Sequence, residues 1–328
     1  MARSGHEVSL IDPWAEHIDR IRKDGLRVSD SQGEHCVQLA ALHISDVQGL
    51  IHRPVDIAFI CVKLYDTTWC SALIAPYLSA AGFVVTMQNS LIEEEIAKIV
   101  GWRRVVGCVA SRIQVEAVAP GRVRRTNPPG GDAYTVFRVG EIHGRATARA
   151  LQLAQMLSVV DSAKVTTNLW GERWSKLVAN SMTSGVCAVS GLTFTQMYEH
   201  PGARQLIIRL AAEAIELGRV LGFELESVYG TDPAVYLAAA RGDVEMLARL
   251  ECSMRTAQVN SLDGGRSGIA QDLAKGRRTE VDYISGYVAA RASEVGLTTP
   301  TQSAITAMVH AIERGELQPG VANIDALL

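Results

Sequence analysis

The sequence predicts an α/β fold, in which a doubly wound domain with a parallel sheet precedes an all-α domain. Short, continuously apolar runs alternate with helical patterns in the first half of the chain, and such runs are typical of strands covered on both faces. From Leu169 onward every pattern is helical. The length of 328 residues suits two domains. We therefore expect one domain over residues 1–168 and a second over 169–328.

The elements of the first domain follow from this β-α-β-α rhythm. The strands are expected at 7–12, 55–62, 83–87 and 105–110, with helices at about 14–24, 67–80 and 93–100. The alternating runs within 122–140, which flank Asn127-Pro-Pro-Gly-Gly, predict antiparallel strands joined by a turn. A helix over 144–157 and a short strand over 165–168 then complete the domain.

The second domain is predicted from apolar positions that recur at helical spacing. Helices are expected at about 171–189 and 201–221, as a shorter pair within 233–255, and at 277–295 and 301–314.

Composition excludes several classes of function. The net charge is −3, so the basic surface of a nucleic-acid-binding protein is not expected. The longest apolar stretch, 72–85, contains Pro76 and Gly82 and falls short of the roughly 20 residues of a membrane-spanning helix. The six cysteines form no Cys-x-x-Cys pair, which favours a cytoplasmic protein with reduced thiols and disfavours disulfides or a metal site.

Polar residues end three of the predicted strands: Asp12, Lys63 and Asn89. Ligands of doubly wound sheets bind outside the carboxyl ends of the strands. An acid at the position of Asp12 typically accepts hydrogen bonds from the adenosine ribose and repels a 2′-phosphate, which favours NAD over NADP. The alternatives stay open: a cap or turn before Pro13 for Asp12, a solvated strand end for Lys63, and a turn residue for Asn89.

The glycine fingerprint of dinucleotide-binding folds, G-x-G-x-x-G, is missing from the sequence. It usually lies about 20 residues before the ribose-binding acid, a position that falls ahead of Met1. We therefore expect that the first strand, the phosphate loop and most of the first helix lie upstream of this sequence, as in an N-terminally truncated domain.

Two polar clusters stand out in the helical half. Lys176, Asn180 and Ser184 are four residues apart and so share one helix face, which is either an exposed face or the lining of a cleft. A lysine in a cleft is chemically useful, because desolvation disfavours the charged amine and helps it to give up a proton. The second cluster contains Glu280 and Asp282, and it indicates either a charged helix start or a pairing of Glu280 with Lys176 or a substrate hydroxyl.

Together these motifs resemble the ketopantoate reductase (2-dehydropantoate 2-reductase) family over nearly the whole chain. The resemblance rests on short motifs: Val62-Lys63, Gln88-Asn89, Lys176-Leu177-x-x-Asn180, Gln271-Asp272, Gly276-Arg-Arg-Thr-Glu-Val-Asp-Tyr283, and Gly296-Leu-Thr-Thr-Pro-Thr301. It implies a Rossmann domain followed by a helical domain like that of 6-phosphogluconate dehydrogenase relatives. The implied reaction is hydride transfer from NADPH or NADH to the ketone of a 2-oxo acid, as in pantothenate biosynthesis, and the implied assembly is a homodimer through the helical domain.

The same resemblance implies the roles of the site residues. Lys176 would be the general acid that protonates the developing alkoxide, and Glu280 would bind a substrate hydroxyl and help to place the lysine. Asn180 would hold the substrate. Lys63 and Asn89 would lie at the edge of the nicotinamide and the substrate.

Four features depart from the family pattern. The glycine fingerprint is absent, and Ser90 follows Asn89 where the family usually has glycine. Ser184 stands where a second asparagine is common, and Gly268 stands where a substrate-contacting serine is expected, so that neighbouring Ser267 would replace it. These changes leave two alternatives open: a family member that acts on a different 2-oxo or 2-hydroxy acid with NAD, and a non-catalytic metabolite-binding or dimerisation protein that has lost its phosphate-binding loop.

Overall fold

The computed structural model describes residues 1–260 and 265–328. The chain folds into two compact units. Unit 1 comprises Met1–Gln88 and Ile92–Leu169, and unit 2 comprises Asn89–Leu91 and Trp170–Leu328. Unit 1 combines parallel strands with helices and unit 2 is helical, which confirms the predicted fold class.

Unit 1 is built from short strands and helices. In chain order they are β1 (Ser9–Asp12), α1 (Ala15–Asp24), β2 (Leu26–Asp30), β3 (Gly33–Val37), β4 (Ala40–His43), β5 (Val55–Ile60), α2 (Thr67–Ile74), β6 (Leu78–Thr86), α3 (Glu93–Val100), β7 (Val105–Ala110), β8 (Val115–Ala119), β9 (Arg122–Arg125), β10 (Phe137–Glu141), α4 (Ala148–Ser158) and β11 (Ala163–Val165). The helices begin and end where the sequence provides caps: Thr147 accepts a hydrogen bond from the backbone of α4, and Gly25 ends α1 with a positive φ.

The largest sheet of unit 1 has the strand order β11-β10-β7-β6-β5. Strands β5, β6 and β7 run parallel, and β10 is antiparallel to β7. Val85 on β6 and Val106 on β7 are fully buried, and they share a core cluster with Leu153 and Leu157 of α4. Burial on both faces explains why these strands have continuous apolar sequences.

Two smaller sheets complete unit 1. Strands β1 and β4 form a parallel pair, and four strands form a sheet in the order β3-β2-β9-β8. The expectation for 122–140 is wrong in its pairing, because β9 and β10 belong to different sheets. The antiparallel turn lies instead at Pro120-Gly121, between β8 and β9, where Gly121 has a φ of 70°. The Asn127–Gly131 segment is held by Asp161, whose carboxylate accepts hydrogen bonds from the Gly130 and Gly131 amides.

Unit 2 consists of helices around one large apolar core. They are α5 (Leu169–Ser190), α6 (Phe194–Glu199), α7 (Pro201–Val220), α8 (Pro233–Ala240), α9 (Val244–Asn260), α10 (Gly268–Ala274), α11 (Ser285–Glu294), α12 (Pro300–Glu313) and α13 (Ala322–Asp325). Buried residues of α5 and α7 form much of this core, and Trp174 on α5 donates a hydrogen bond to the Ala214 carbonyl on α7. In the described residues of both units, no helix is long and apolar enough to cross a membrane.

Two expected helices have different bounds in the structure. The helix expected over 277–295 begins only at Ser285, and a single 3-10 turn, Val281–Tyr283, precedes it. The helix expected over 67–80 ends at Ile74, and Leu78 already starts β6. In the first case side chains from α12 hold the segment in another conformation. In the second, Pro76 lies in a 3-10 turn that separates the helix from the strand.

Candidate active site

The polar stripe of α5 is the part of this helix that is only partly covered. Lys176, Asn180 and Ser184 are half-buried, and Ala179 beside them is too. All other residues from Arg173 to Ser190 are buried. Partial burial is compatible with the second interpretation, the lining of a cleft, which stays a prediction. Three polar groups on successive turns of one helix face can contact the same small molecule.

The stripe is fixed at one end by α10. Ser267 is buried and caps α10 by accepting a hydrogen bond from the Ala270 amide at 3.2 Å. The same hydroxyl donates to the Ser184 carbonyl at 3.0 Å. The hydroxyl proton of Ser267 is therefore used within the protein, so a substrate contact by this side chain would have to use its remaining lone pair. Next to it, Gly268 is exposed, and a Cβ at that position would meet no atom within 4 Å.

Glu280 lies on the connection between α10 and α11 rather than on a helix. It is half-buried and directly precedes the 3-10 turn Val281–Tyr283. Thr279 before it and Val281 after it are almost fully buried. The carboxylate of Glu280 is thus carried by a short connection whose flanking residues are anchored in unit 2.

Asn89 belongs to unit 2 although it follows a strand of unit 1. The segment Asn89–Leu91 is attached there by Leu91, which packs against the core of unit 2. Ser90 has a φ of 62°, in the left-handed region that favours glycine. The glycine that the family pattern places here would adopt this conformation without strain, and Ser90 adopts it with a side chain.

The other two predicted residues lie in unit 1. Asp12 ends β1 and is half-buried, and its Oδ1 accepts a hydrogen bond from the Trp14 amide at 2.8 Å. This turn is the structural alternative considered for Asp12, and it occupies one of the two carboxylate oxygens. Lys63 caps a 3-10 turn just after β5 and is half-buried. The Gln88 amide donates to the Val62 carbonyl and to Thr67, and so ties the end of β6 to the end of β5.

The predicted residues are thus divided between the two units. Unit 2 carries the larger set: Asn89, Lys176, Asn180, Ser184, Ser267 and Glu280. Unit 1 carries Asp12 and Lys63. The set in unit 2 combines an amine, a carboxylate, amides and a hydroxyl, which can bind a small polar acid and transfer a proton to it. Asp12 stands at the carboxyl end of a parallel strand, where the ribose-binding acid was predicted, and that role stays a prediction.

Two residues of the same region were missed by the sequence analysis. His310 and Glu313 on α12 contact the connection that carries Glu280. The one sequence signal was their spacing of three, which places them on the same helix face. That spacing is common on surface helices and could not indicate where the face points.

Comparison with protein families gives two matches that follow one another along the chain. The family described as "Ketopantoate reductase PanE/ApbA" matches residues 1–136. Its partner, "Ketopantoate reductase PanE/ApbA C terminal", matches residues 168–313.

Curated proteins with related sequences bear the name 2-dehydropantoate 2-reductase. The protein from Archaeoglobus fulgidus is 26% identical over 262 residues, with 79% of this chain and 77% of the relative covered. The protein from Halobacterium salinarum is 24% identical, with 94% of this chain and 91% of the relative covered.

Solved structures show the same fold at lower identity. A ketopantoate reductase from Ralstonia eutropha has a TM-score of 0.77 at 23% identity, with 96% of this chain and 93% of that chain covered. A D-mandelate dehydrogenase solved with NADH and anilino(oxo)acetate has a TM-score of 0.79 at 22% identity and the same coverage. With both family matches in order along it, the chain belongs to the ketopantoate reductase family.

Proposed function

We propose that this member of the ketopantoate reductase family reduces the ketone of a 2-oxo acid, 2-dehydropantoate or a related compound, with NADPH or NADH. The observation that carries the proposal is the half-buried stripe of Lys176, Asn180 and Ser184 on an otherwise buried α5. Lysine and asparagine stand there at the spacing of the family motif. A bound reduced nicotinamide supplies the hydride for the carbonyl carbon.

Lys176 is the general acid of the proposed reaction. As the hydride reaches the carbonyl carbon, negative charge develops on the carbonyl oxygen. The ammonium of Lys176 first stabilises this charge and then transfers one proton to the oxygen, which leaves a hydroxyl and a neutral amine. The amine regains its proton from solvent.

The other polar groups of unit 2 hold the substrate. Glu280 accepts a hydrogen bond from a substrate hydroxyl and helps to place the lysine. Asn180 and Ser184 bind the substrate along the same helix face, and Asn89 contributes a further amide at the edge of the nicotinamide. Ser267 supports Ser184 through its backbone.

The cofactor fits unit 1 at its adenosine end. Asp12 stands at the carboxyl end of β1, and one of its oxygens accepts from the Trp14 amide. The second oxygen suits a ribose hydroxyl and would repel a 2′-phosphate, which supports NADH. Lys63, which follows strand β5 of the five-stranded sheet, would lie at the nicotinamide edge.

Replacement of Lys176 tests the proposal most directly. We expect Lys176→Ala to lower kcat by at least about a hundredfold, because proton transfer by a positioned group contributes that much or more. Circular dichroism should show an unchanged fold. Lys275→Ala is the matched control, because Lys275 is an exposed lysine of the same unit, and it should keep normal turnover. Near-normal turnover in Lys176→Ala would contradict the role of general acid.

A second candidate function is reduction of a different 2-oxo acid with NADH. Ser184 and the open space at Gly268 favour it, because both leave room where the family pattern has larger polar side chains. The D-mandelate dehydrogenase of similar fold was solved with NADH and anilino(oxo)acetate. Steady-state kinetics with 2-dehydropantoate and phenylglyoxylate, each with NADH and NADPH, separates the candidates. Calorimetry with NADH and NADPH tests the non-catalytic alternative, which has lost its phosphate-binding loop: absence of binding of both cofactors would favour it, and micromolar binding of either would contradict it.

A further inference from the structure

The connection that carries Glu280 needs support from outside itself. Glu280 is followed by a single 3-10 turn of three residues, Val281–Tyr283. Such turns are short and have poor hydrogen-bond geometry, so they do not fix a side chain by themselves. Besides the burial of Thr279 and Val281, contacts from other elements with this turn therefore contribute to the position of Glu280.

The last turn of α12 contacts the connection on both sides of Glu280. Glu313 accepts a hydrogen bond from the backbone amide of Thr279 at 2.7 Å. His310 Nε2 lies 2.8 Å from the Oδ1 atom of Asp282. His310 Nδ1 lies 2.7 Å from the Oε2 atom of Glu313, which joins the two contacts to each other. The residues immediately before and two places after Glu280 are thus held by one connected pair of side chains.

The protonation state of His310 determines how many of these bonds can form. A neutral imidazole has one N–H, whereas an imidazolium has two. Both ring nitrogens of His310 face carboxylate oxygens, which only accept. The imidazolium can therefore donate to Asp282 and Glu313 at once, and the neutral ring can donate to only one of them.

We propose that His310 and Glu313 are positioning residues that hold the Glu280 connection in place, and that this clamp is complete only while His310 is protonated. The clamp is defined by the contacts of His310 and Glu313 with Thr279 and Asp282. Its effect on turnover rests on the proposed function, in which Glu280 binds a substrate hydroxyl. Its effect on the backbone of residues 279–282 is independent of the proposed function.

The charges around His310 favour the protonated form. Burial lowers the pKa of His310, but the carboxylates of Glu313 and Asp282 outweigh this and raise it above the ordinary value of 6.5. A raised pKa means that the clamp is complete at low pH and is lost as the pH rises through the raised value. The other charged groups nearby are Arg278, 3.9 Å from Asp282, and Arg314, which pairs with Glu316.

Two variants of His310 and a neighbouring control test the clamp in activity. His310→Ala removes the contacts of the imidazole with Asp282 and Glu313. His310→Gln keeps a neutral hydrogen-bond donor that does not titrate. We expect His310→Ala to lower kcat/KM for the 2-oxo acid by about tenfold, because misplaced substrate-binding groups cost rate. The KM for the nicotinamide cofactor should stay unchanged. Arg314→Gln lies on the same end of the helix and should behave as the wild type.

The pH profile separates positioning from simple stability. In the wild type, kcat/KM should fall as the pH rises through the raised pKa of His310. In His310→Gln this fall should be absent. If His310→Gln kept the same fall, another group would cause it, and the positioning role of His310 would be contradicted.

Amide hydrogen exchange tests the clamp without any need for turnover. The Thr279 and Val281 amides should exchange at least about fivefold faster in His310→Ala than in the wild type, because a charge-assisted contact is lost. Arg314→Gln should leave their exchange unchanged. Raising the pH above the pKa of His310 should, after correction for intrinsic rates, have the same effect on the wild type and none on His310→Gln. Unchanged exchange in both His310 variants would overturn the clamp, whereas an inactive wild type with the expected exchange would contradict only the proposed function.

Discussion

The two units contain charged side chains held in different ways. In unit 1, Glu141 is completely buried, and Arg149 donates to both of its carboxylate oxygens. In unit 2, His310 stands between two carboxylates and keeps a third of its side chain exposed. An arginine is always charged, whereas a histidine can titrate near neutral pH. The comparison indicates that the Glu141–Arg149 pair of unit 1 is a permanent part of the structure, whereas His310 of unit 2 stands where a change of protonation state has an effect.

A second buried pair supports this view of unit 1. Asp161 pairs with Arg125 and also accepts hydrogen bonds from three backbone amides, those of Gly130, Gly131 and Ser162. This carboxylate ties the segment before β10 to the segment before β11. Its bonds are directed at fixed backbone groups, as expected of a structural element.

The strongest test of the comparison is removal of the arginine that neutralises Glu141. We expect Arg149→Ala to destabilise the protein by about 3–5 kcal/mol, because it leaves a fully buried carboxylate without its partner. The stacking of Arg149 on Phe83 is lost as well. Denaturant unfolding measures the change. Lys98→Ala, which breaks the exposed pair with Glu95, should leave the free energy of unfolding nearly unchanged, because solvent screens that pair. A small effect of Arg149→Ala would show that this pair is not a permanent part of the structure.

A pH series sharpens the comparison further. Burial raises the pKa of Asp161, but Arg125 and the backbone amides outweigh this and hold it below the ordinary value of 3.8. A lowered pKa stabilises the fold above the unfolded value and loses this effect as the pH falls through the folded value. We expect Asp161→Asn to cost about 1–3 kcal/mol at pH 7, because charge-assisted bonds are lost. The difference in free energy of unfolding between Asp161→Asn and the wild type should disappear only in acid. The His310 clamp has the opposite pH dependence, because it is lost at high pH.

If the gap between Asp161→Asn and the wild type stayed constant into strong acid, the charge of Asp161 would not be the cause. In that case the packing and hydrogen-bond geometry of the side chain, rather than its charge, would account for the loss of stability. The result would remove the contrast in sign between Asp161 in unit 1 and His310 in unit 2.

The smallest expected effect concerns Ser90. This residue belongs to the segment Asn89–Leu91 of unit 2, which lies in sequence between the two parts of unit 1. Its positive φ costs a residue with a side chain about 1–2 kcal/mol, and glycine loses about 0.5–1 kcal/mol more entropy on folding. We therefore expect Ser90→Gly to raise the free energy of unfolding by about 0.5–1 kcal/mol. Ser158→Gly in α4 should lower it. A loss of stability in Ser90→Gly would show that the serine hydroxyl has a structural role at this position.

Much of the fold follows from local sequence pattern, and the exceptions have physical reasons. The predictions for α3 and β7 agree with the structure to the residue, because each is a strongly patterned run with clear ends. Strands β2, β3 and β4 were missed because they are short and partly exposed, with mixed polar sequences such as Gly33–Val37. Their pairing depends on distant segments, since β2 lies parallel to β9.

The candidate site divides in the same way. The stripe on α5 could be predicted because helical spacing alone places its members on one face. The conformation around Glu280 could not, because Arg277–Ile284 has a helical pattern and its turn is held by His310 and Glu313 from α12. Contacts from an element that is distant in sequence cannot be predicted from the local sequence of the segment that they hold.

The single-helix origin of the α5 stripe has a consequence for how this protein can vary. Each residue added to a helix turns everything beyond it by about 100°. One insertion early in α5 would therefore rotate Lys176, Asn180 and Ser184 out of place at once and bring core residues to this face. Substitution along the stripe leaves the phase of the helix intact. In the proposed function, substrate preference can thus change by single substitutions at positions 180 and 184, while the length of α5 before the lysine is held constant.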